Sequence, residues 1–209
     1  SRFTNPTVDS FQNILAALVG AEKCHATASG MSAIFATIMT LLKPGDHMVA
    51  SRCMFGTTIV LLNSIIEKFE IQITFVDLAD LNAWEKSVQT NTKLFLLETP
   101  SNPLGEVVDI VKLAIISKKN NIVLAVDNCV MTPALQKPLT LGADLVIHSA
   151  TKYIDGQGRC LAGAVAGSES LIDEISAFTR STGPTLSAFN AWIVLKGLET
   201  LKIRMDAHC

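Results

Sequence analysis

The sequence predicts an α/β domain with a mostly parallel sheet that is covered by helices on both faces (α/β/α). Segments with helical periodicity alternate along the chain with short, unbroken apolar runs rich in β-branched residues, which is the pattern of such a domain. The chain has 209 residues, of which 49% are apolar and 17% charged, so it can bury a large core.

The first part of the chain predicts two helices. One runs roughly over residues 10–19, with Gly20 as a plausible C-cap. The other begins at Gly30 and ends before a turn at residues 44–46. Helical spacing directs a set of apolar side chains toward the core, namely Phe11, Ile14, Leu15 and Leu18 in the first helix and Ile34, Ile38 and Leu41 in the second.

The middle of the chain predicts a run of strands, at residues 47–50, 71–76, 93–97, 122–126 and 145–148. The last three are too continuously apolar for half-exposed strands, so we expect them at the centre of the sheet. Helices are predicted over residues 57–66 and 111–119, and the second of these fits a right-handed crossover between parallel strands.

The last part of the chain predicts a sixth strand over residues 161–166 and a helix over residues 171–180. One long amphipathic helix then spans residues 187–208, with Ser187 as its N-cap. Its predicted apolar side consists of Trp192, Leu195, Leu198 and Leu201.

Composition excludes several classes of function. The net charge is −2 and no block of Lys or Arg occurs, so neither nucleic acid nor an anionic membrane is an expected partner. Charged or polar residues interrupt every window long enough to span a bilayer. Five cysteines and four histidines stand without zinc spacing, so no metal is predicted, and the thiols indicate a reducing, cytoplasmic setting. A small-molecule substrate is the better expectation.

Polar residues follow three of the predicted central strands. Glu98 follows the strand at 93–97, with Asn102 shortly after it, Asp127 follows the strand at 122–126, and residues 149–152 (Ser-Ala-Thr-Lys) follow the strand at 145–148. Ligands of open α/β sheets bind beyond the carboxyl ends of the strands. We therefore expect these residues to converge on one cleft.

Lys152 and Asp127 each permit two interpretations. A lysine beside a buried strand end loses solvation, which favours the neutral amine as a nucleophile toward a carbonyl, but a lone lysine there is more often an ordinary surface residue. The flanking hydroxyls of Ser149 and Thr151 form a small anion site and favour the first interpretation. Asp127 could keep a pyridine nitrogen protonated, or it could be a helix cap or turn residue.

Three further features carry weaker signals. Residues 27–31 (Thr-Ala-Ser-Gly-Met) precede a helix, where backbone N–H groups favour phosphate, although small residues there can also indicate only a tight turn. Phe55 could stack on a planar cofactor or belong to the core. Cys129 is interpreted as a packing residue, and His148 is the histidine most expected to be buried. No dinucleotide or P-loop glycine motif is present.

Six motifs in this order and spacing resemble the Cys/Met-metabolism (trans-sulfuration) family of fold-type I pyridoxal-phosphate (PLP) enzymes. They are residues 1–7 (SRFTNPT), 29–31 (SGM), 98–103 (ETPSNP), 126–128 (VDN), 148–153 (HSATKY) and 196–201 (KGLETL). Within that family, residues 55–58 (FGTT) and 153–160 (YIDGQGRC) look most like the O-succinylhomoserine sulfhydrylases.

The resemblance implies the cofactor PLP and a role for each candidate site residue. Lys152 would hold PLP as a Schiff base and move protons, while Asp127 would pair with the pyridinium nitrogen. The remaining roles would be phosphate binding by Gly30, Met31, Ser149 and Thr151, ring stacking by Phe55, a position near the ring 3′-oxygen for Asn102, and contact with a neighbouring subunit's phosphate for Arg2. The resemblance thus implies a dimer within a homotetramer.

The resemblance also implies a division of the chain and two departures from the family pattern. Residues 1–185 would form the PLP-binding large domain, and residues 186–209 would be a linking helix toward a missing C-terminal domain. Relatives often have tyrosine at the position of Phe55, and methionine γ-lyases typically have cysteine at the position of Thr57. Because phenylalanine can stack but cannot relay a proton, a degradative γ-lyase is disfavoured.

The resulting hypothesis is γ-replacement on an activated homoserine ester, with O-succinylhomoserine and sulfide giving homocysteine and succinate in methionine biosynthesis. Alternatives within the family are cystathionine γ-synthase and γ-elimination of the methionine γ-lyase type. Outside it, a noncatalytic α/β module is disfavoured because no structural need requires Lys152, Asp127 and Ser149 together. A nicotinamide oxidoreductase lacks its glycine motif.

Overall fold

The computed structural model describes residues 4–209, so the first three residues, and with them the expectation for Arg2, lie outside the described part. Its strands are β1 (Lys23–Thr27), β2 (His47–Ser51), β3 (Gln72–Val76), β4 (Thr92–Glu98), β5 (Val123–Asp127), β6 (Leu145–Ser149) and β7 (Gly163–Gly167). Its α-helices are α1 (Pro6–Val19), α2 (Gly30–Leu41), α3 (Gly56–Ser64), α4 (Leu81–Lys86), α5 (Ile110–Lys119), α6 (Thr132–Leu135), α7 (Glu169–Thr182), α8 (Ala188–Glu199) and α9 (Leu201–His208). Short 3₁₀ helices occur at Ile66–Phe69 and Pro138–Leu141.

The strands form one sheet in the order β1-β7-β6-β5-β4-β2-β3. Strand β7 is antiparallel to both of its neighbours, and the pairs from β6 across to β3 are parallel. The three strands predicted to be central, β4, β5 and β6, lie in the middle and are almost entirely buried. The predicted mostly parallel α/β class is confirmed.

Helices cover the sheet on both faces, which places a core on each side. Neighbouring strand residues alternate between the two faces, as Leu96 and Phe95 do in β4. Leu96 packs under α2, α3 and α7, whereas Phe95 packs with Trp84 and Leu113 of α4 and α5. A further cluster on the Phe95 side joins Phe11 of α1 to α8. The sheet is therefore held rigidly from both faces.

Several short elements were not predicted, among them β1 and α4, and some boundaries differ. Strand β1 mixes the polar Lys23 and His25 with small residues because it is an edge strand that pairs with β7. Helix α4 is only six residues long, and Asp80 caps it by accepting from the Ala83 N–H. The predicted sixth strand begins at Gly163 rather than at residue 161, because Leu161 is 62% exposed.

The prediction of one continuous C-terminal helix is wrong, because the helix breaks at Thr200 into α8 and α9. The Arg204 guanidinium donates to the Gly197 carbonyl, a group that a continuous helix would use internally. Ser187 is the N-cap, as predicted, and accepts from the Asn190 N–H. Trp192 is 51% exposed, so its predicted place on the apolar side is also wrong.

Helix α1 starts earlier than predicted, at Pro6, with Asn5 as its N-cap and Gly20 as its left-handed C-cap. The predicted core positions of Ile14 and Leu18 are wrong, since both side chains are exposed. Phe11 and Leu15 are buried instead with Ala16 and Val19, because that stripe faces the sheet. Within residues 4–209, no helix combines the length and apolarity needed to cross a membrane.

Candidate active site

The carboxyl ends of β4, β5 and β6 meet at one edge of the sheet, and a cavity of about 220 Å³ lies there. Glu98 and Asp127 are direct partners in the parallel register, and Ser149 ends the next strand. The cavity is lined by Ser29, Gly30, Met31, Ile34, Phe55, Thr58, Glu98, Asn102, Asp127, Cys129, Ser149, Thr151, Lys152 and Leu161. A larger, more open cavity of about 750 Å³ adjoins it and shares Lys152 and Asn102.

The structure brings together every predicted site residue that it describes. Gly30, Met31, Phe55, Asn102, Asp127, Ser149, Thr151 and Lys152 all line the cavity. Residues far apart in sequence converge because successive parallel strands deliver their ends to the same edge.

One end of the cavity is the start of α2. Ser29 caps this helix in a capping box with Ser32, and the first N–H groups of a helix have no partner within it. Space there is tight, because a Cβ added to Gly30 would lie 2.8 Å from the Ser149 Cβ. A Cβ on Gly163 of β7 would lie 2.1 Å from the Ser29 carbonyl oxygen. The close packing holds exposed backbone amides at a site suited to an anion.

The Thr151 hydroxyl is hydrogen-bonded to the backbone, whereas Ser149 lies against the start of α2. The Thr151 Oγ1 donates to the Ala162 carbonyl at 3.1 Å and accepts from the Ala162 N–H at 3.0 Å. Its single proton is therefore directed at the backbone. Ser149 lies closer to the start of α2, against Gly30.

Phe55 lies at the N-terminus of α3 and its ring is 44% exposed at the cavity wall. The Glu98 Oε2 accepts from the Phe55 N–H at 2.7 Å, which fixes the backbone that carries the ring. Sequence reasoning noted Glu98 at a strand end but gave it no role. The sequence signal that could have indicated a role for Glu98 is a charged residue directly after an unbroken apolar strand.

Asp127 ends β5 and lines the cavity together with a second acid, Glu98. The pKa of Asp127 is raised to about 7, mainly by burial and also by the nearby Glu98 carboxylate, while the hydrogen bond from the Cys129 N–H at 3.0 Å opposes the shift. Burial also raises the pKa of Glu98. A positively charged group in the cavity would stabilise both carboxylates in their ionised forms.

Cys129 and His148, which lie beside these carboxylates, are neutral at pH 7. Burial raises the pKa of Cys129 to about 12, so its thiol is protonated at neutral pH, as expected of a packing residue. His148 is buried, as predicted, and burial lowers its pKa to about 4. No cluster of metal-ligating side chains occurs in the part of the chain that the structure describes.

Lys152 lies in the turn directly after β6, where its N–H donates to the Ser149 carbonyl at 3.2 Å. It lines both the smaller cavity and the more open one, and it forms no salt bridge with another residue of the range 4–209. An amine, a carboxylate and the first backbone amides of α2 therefore line one cavity.

The family described as Cys/Met metabolism PLP-dependent enzymes matches residues 1–209. The chain belongs to this family. PLP is therefore its cofactor. The cavity suits that group, because Asp127 is a partly desolvated carboxylate that a protonated pyridine nitrogen would complement, and the start of α2 offers amides to a phosphate.

Several members of the Cys/Met metabolism family resemble the whole chain. An O-succinylhomoserine sulfhydrylase of Pseudomonas aeruginosa is 59% identical over 100% of this chain and 52% of its own length. One from Mycobacterium tuberculosis is 44% identical, covering 99% and 51%. An L-methionine gamma-lyase of Pseudomonas putida is 42% identical, covering 100% and 53%.

A solved structure has the same fold. The structure titled metB from Corynebacterium glutamicum matches with a TM-score of 0.97 and 38% identity, over 100% of this chain and 55% of that one. The chain spans about half the length of the curated relatives it matches. The architecture found here is therefore that of a PLP enzyme of this family.

Gly163→Ala is expected to weaken PLP binding by about 5- to 150-fold, since overpacking costs about 1–3 kcal/mol. The added methyl group would meet backbone atoms, with the Ser29 oxygen at 2.1 Å and the Gly30 nitrogen at 2.6 Å, and would displace the start of α2. Titration of the PLP-free protein with PLP, followed by visible absorbance, measures the effect. Gly56→Ala is the control, because a Cβ there meets no atom within 4 Å. Equal affinities of the two variants would contradict the prediction.

Proposed function

We propose that this chain carries the PLP site of an enzyme that replaces the γ-substituent of an activated homoserine ester. The substrate would be O-succinylhomoserine and the nucleophile sulfide, giving homocysteine and succinate in methionine biosynthesis. The observation that carries this proposal is the 59% identity, over the whole chain, with the O-succinylhomoserine sulfhydrylase of Pseudomonas aeruginosa. The presence of Phe55 in place of a proton-relaying tyrosine supports replacement rather than degradation.

In this proposal Lys152 and Asp127 take part in the chemistry itself. PLP, when bound, supplies a ring that delocalises the electrons left at the substrate Cα. Lys152 holds the cofactor covalently and then moves protons at the substrate carbons. Asp127 pairs with the ring nitrogen and keeps it protonated.

The remaining residues bind and orient the cofactor. The phosphate is bound at the start of α2. Its ligands are the Gly30 and Met31 N–H groups, the Ser149 hydroxyl and Thr151. Phe55 stacks on the ring, with its backbone held by Glu98, and Asn102 lies near the ring 3′-oxygen. Gly30, Phe55 and Ser149 stand at the ends of α2, α3 and β6, so we expect little reorganisation of these groups on binding.

The proposal extends to the whole protein. Residues 1–185 would be the PLP-binding domain, and residues 186–209 would be a linking segment. In a dimer within a homotetramer, Arg2 would contact the phosphate of a neighbouring subunit, as the family resemblance implies. The enzyme acts in the cytoplasm.

A second candidate function is γ-elimination from methionine, because L-methionine gamma-lyases are 40–42% identical to this chain. A third, within the family, is cystathionine synthesis with cysteine as the nucleophile. The three candidate reactions differ in the nucleophile that attacks the γ-carbon. It is sulfide in the first and cysteine in the third, and γ-elimination has none.

One assay of the full-length protein separates these candidates. O-succinylhomoserine is supplied with sulfide or with cysteine, methionine is supplied alone, and products are quantified by mass spectrometry. We expect homocysteine from sulfide at a kcat/KM at least about tenfold above that for cystathionine formation, a difference of about 1.4 kcal/mol in transition-state stabilisation. Faster cystathionine formation, or 2-oxobutanoate from methionine as the main product, would reject the sulfide reaction.

A further inference from the structure

The backbone of Lys152 lies in a short helical turn after β6 that no further helix continues. The Asp155 N–H donates to the Ala150 carbonyl at 2.9 Å, and the Gly156 N–H donates to the Lys152 carbonyl at 2.7 Å. A helical turn leaves its last carbonyls without partners inside it. The carbonyls of Tyr153, Ile154 and Asp155 must therefore find donors elsewhere.

Two arginines supply those donors. Arg204 of α9 donates to the Tyr153 carbonyl at 2.6 Å through Nη1 and to the Ile154 carbonyl at 3.2 Å through Nη2. Arg159 donates through Nη2 to the Asp155 carbonyl at 3.2 Å. A permanent cation at the carboxyl end of a helical turn also complements the partial negative charge there.

Arg204 also ties this turn to the break between α8 and α9. Its Nη2 donates to the Gly197 carbonyl at 2.8 Å, and its Nε donates to the Thr200 Oγ1 at 3.1 Å. One guanidinium therefore joins the lysine turn to the two C-terminal helices. Only arginine has a rigid set of donors that can reach four acceptors in this way.

The lysine turn packs tightly against both α8 and the Arg204 guanidinium. A Cβ on Gly197 would lie 2.0 Å from the Ile154 carbonyl oxygen, so α8 touches the lysine turn directly. A Cβ on Gly156 would lie 2.2 Å from the Arg204 Nη1. These contacts give a physical reason for the glycine of the KGLETL motif, which the cavity itself does not use.

The opposite side of the turn is held by an ion pair whose acid is buried and whose arginine is partly exposed. The Asp155 side chain is fully buried, and its carboxylate accepts from the Arg159 Nε at 2.8 Å and the Arg159 N–H at 2.7 Å. Asp155 and Arg159 belong to the loop that leads to β7. The lysine turn is thus fixed from the loop side by this pair and from the helix side by Arg204.

We propose that Arg204 is a positioning residue that sets the reach of the Lys152 amine by fixing the backbone of its turn. The proposal rests on the function proposed above for Lys152. Without Arg204, the Tyr153 and Ile154 carbonyls lose their donor and the turn relaxes toward solvent. A displacement of about 1 Å at a reacting group costs about 10²-fold in rate.

The test compares Arg204→Met and Arg204→Lys with Lys202→Met in the full-length protein. Lys202 is the matched control, because it lies on α9 too but forms only an exposed pair with Asp206. The readouts are the rate of covalent PLP attachment, trapped with borohydride, the pH dependence of the visible absorbance of bound PLP, and kcat and KM separately.

Arg204→Met is expected to slow covalent PLP attachment and lower kcat by about 10- to 100-fold, with KM changed by less than about threefold. Arg204→Lys should recover part of the loss, and Lys202→Met should behave as the unsubstituted protein does. A folded Arg204→Met protein that attaches PLP at the unsubstituted rate and keeps its kcat would overturn the proposal.

Two further outcomes separate the possible failures. If Arg204→Met does not fold, Thr200→Val and Arg204→Lys carry the test, and normal attachment rates in both, with native circular dichroism, overturn the proposal. If the unsubstituted protein shows no PLP trapped on Lys152, the proposed role of Lys152 fails, and the inference about Arg204 falls with it.

Discussion

Lys152→Ala is expected to lower kcat by more than about 10³-fold, since both the covalent attachment of PLP and the proton transfers depend on its amine. The visible absorbance of the attached cofactor should disappear, while PLP still binds at the start of α2 through its phosphate. Steady-state kinetics and an absorbance spectrum of the full-length variant measure both effects.

Two other lysine variants control for charge and for general damage. Lys152→Arg keeps the positive charge but offers no neutral amine at ordinary pH, so it should be as inactive as the alanine variant. Lys93→Ala changes an exposed residue of β4 and should leave the activity unchanged. Turnover retained in either Lys152 variant contradicts the assignment of the cofactor lysine.

Asp127→Asn is expected to lower kcat by about 10²-fold, the typical loss when one preorganised electrostatic group is removed from a reacting site. An amide cannot hold a proton on the ring nitrogen, so the ring becomes a weaker electron acceptor. Kinetics of the variant measured with saturating PLP test this, and unchanged kcat would contradict the proposed pairing.

The same substitution has a predicted pH signature in the PLP-free protein. The pKa of Asp127 is about 7 against an ordinary value of 3.8, so the folded state binds this proton more tightly than the unfolded chain does. The contribution of Asp127 to the free energy of unfolding is complete below about pH 4 and is lost as the pH rises through about 7. The Asp127→Asn variant has no carboxyl to titrate at this position, so its free energy of unfolding does not show this decrease with pH.

The difference in free energy of unfolding, variant minus unsubstituted protein, should therefore increase from about pH 4 to pH 7, by at most about 4 kcal/mol, and then level off. The comparison matters because His25 and His148 have pKa values lowered to about 4, which gives stability an opposite pH trend in both proteins. Urea unfolding at several pH values measures the difference, and a flat difference would contradict it. Saturating PLP should reduce the effect.

The fold was predictable where local pattern and tertiary environment agree. Strands β4, β5 and β6 are buried on both faces, so their unbroken apolar runs identify them without knowledge of their partners. Strand β1 gave no such pattern, because it lies at the edge of the sheet and pairs with β7, more than a hundred residues later in the chain. The break at Thr200 depends on a side chain of the following helix, which periodicity does not detect.

The site was predictable to the same degree and for the same reason. Strand ends and the start of α2 are local features, and the residues there line one cavity. The hydrogen bond from the Phe55 N–H to Glu98 and the contact of Gly163 with Ser29 join residues distant in sequence. Such contacts depend on strand order and register, and neither can be read from one segment alone.

The position of β7 has a consequence for synthesis of the protein on the ribosome. Strand β1 adds to the sheet through β7, and Gly163 of β7 packs against the turn at Ser29. That turn cannot reach its final packing until residue 163 and its neighbours have left the exit tunnel. Strands β2 to β6 can assemble earlier, because they pair with one another and all of them precede residue 163 in the chain. The nascent chain therefore acquires its phosphate-binding corner as a late event, after most of the sheet already exists.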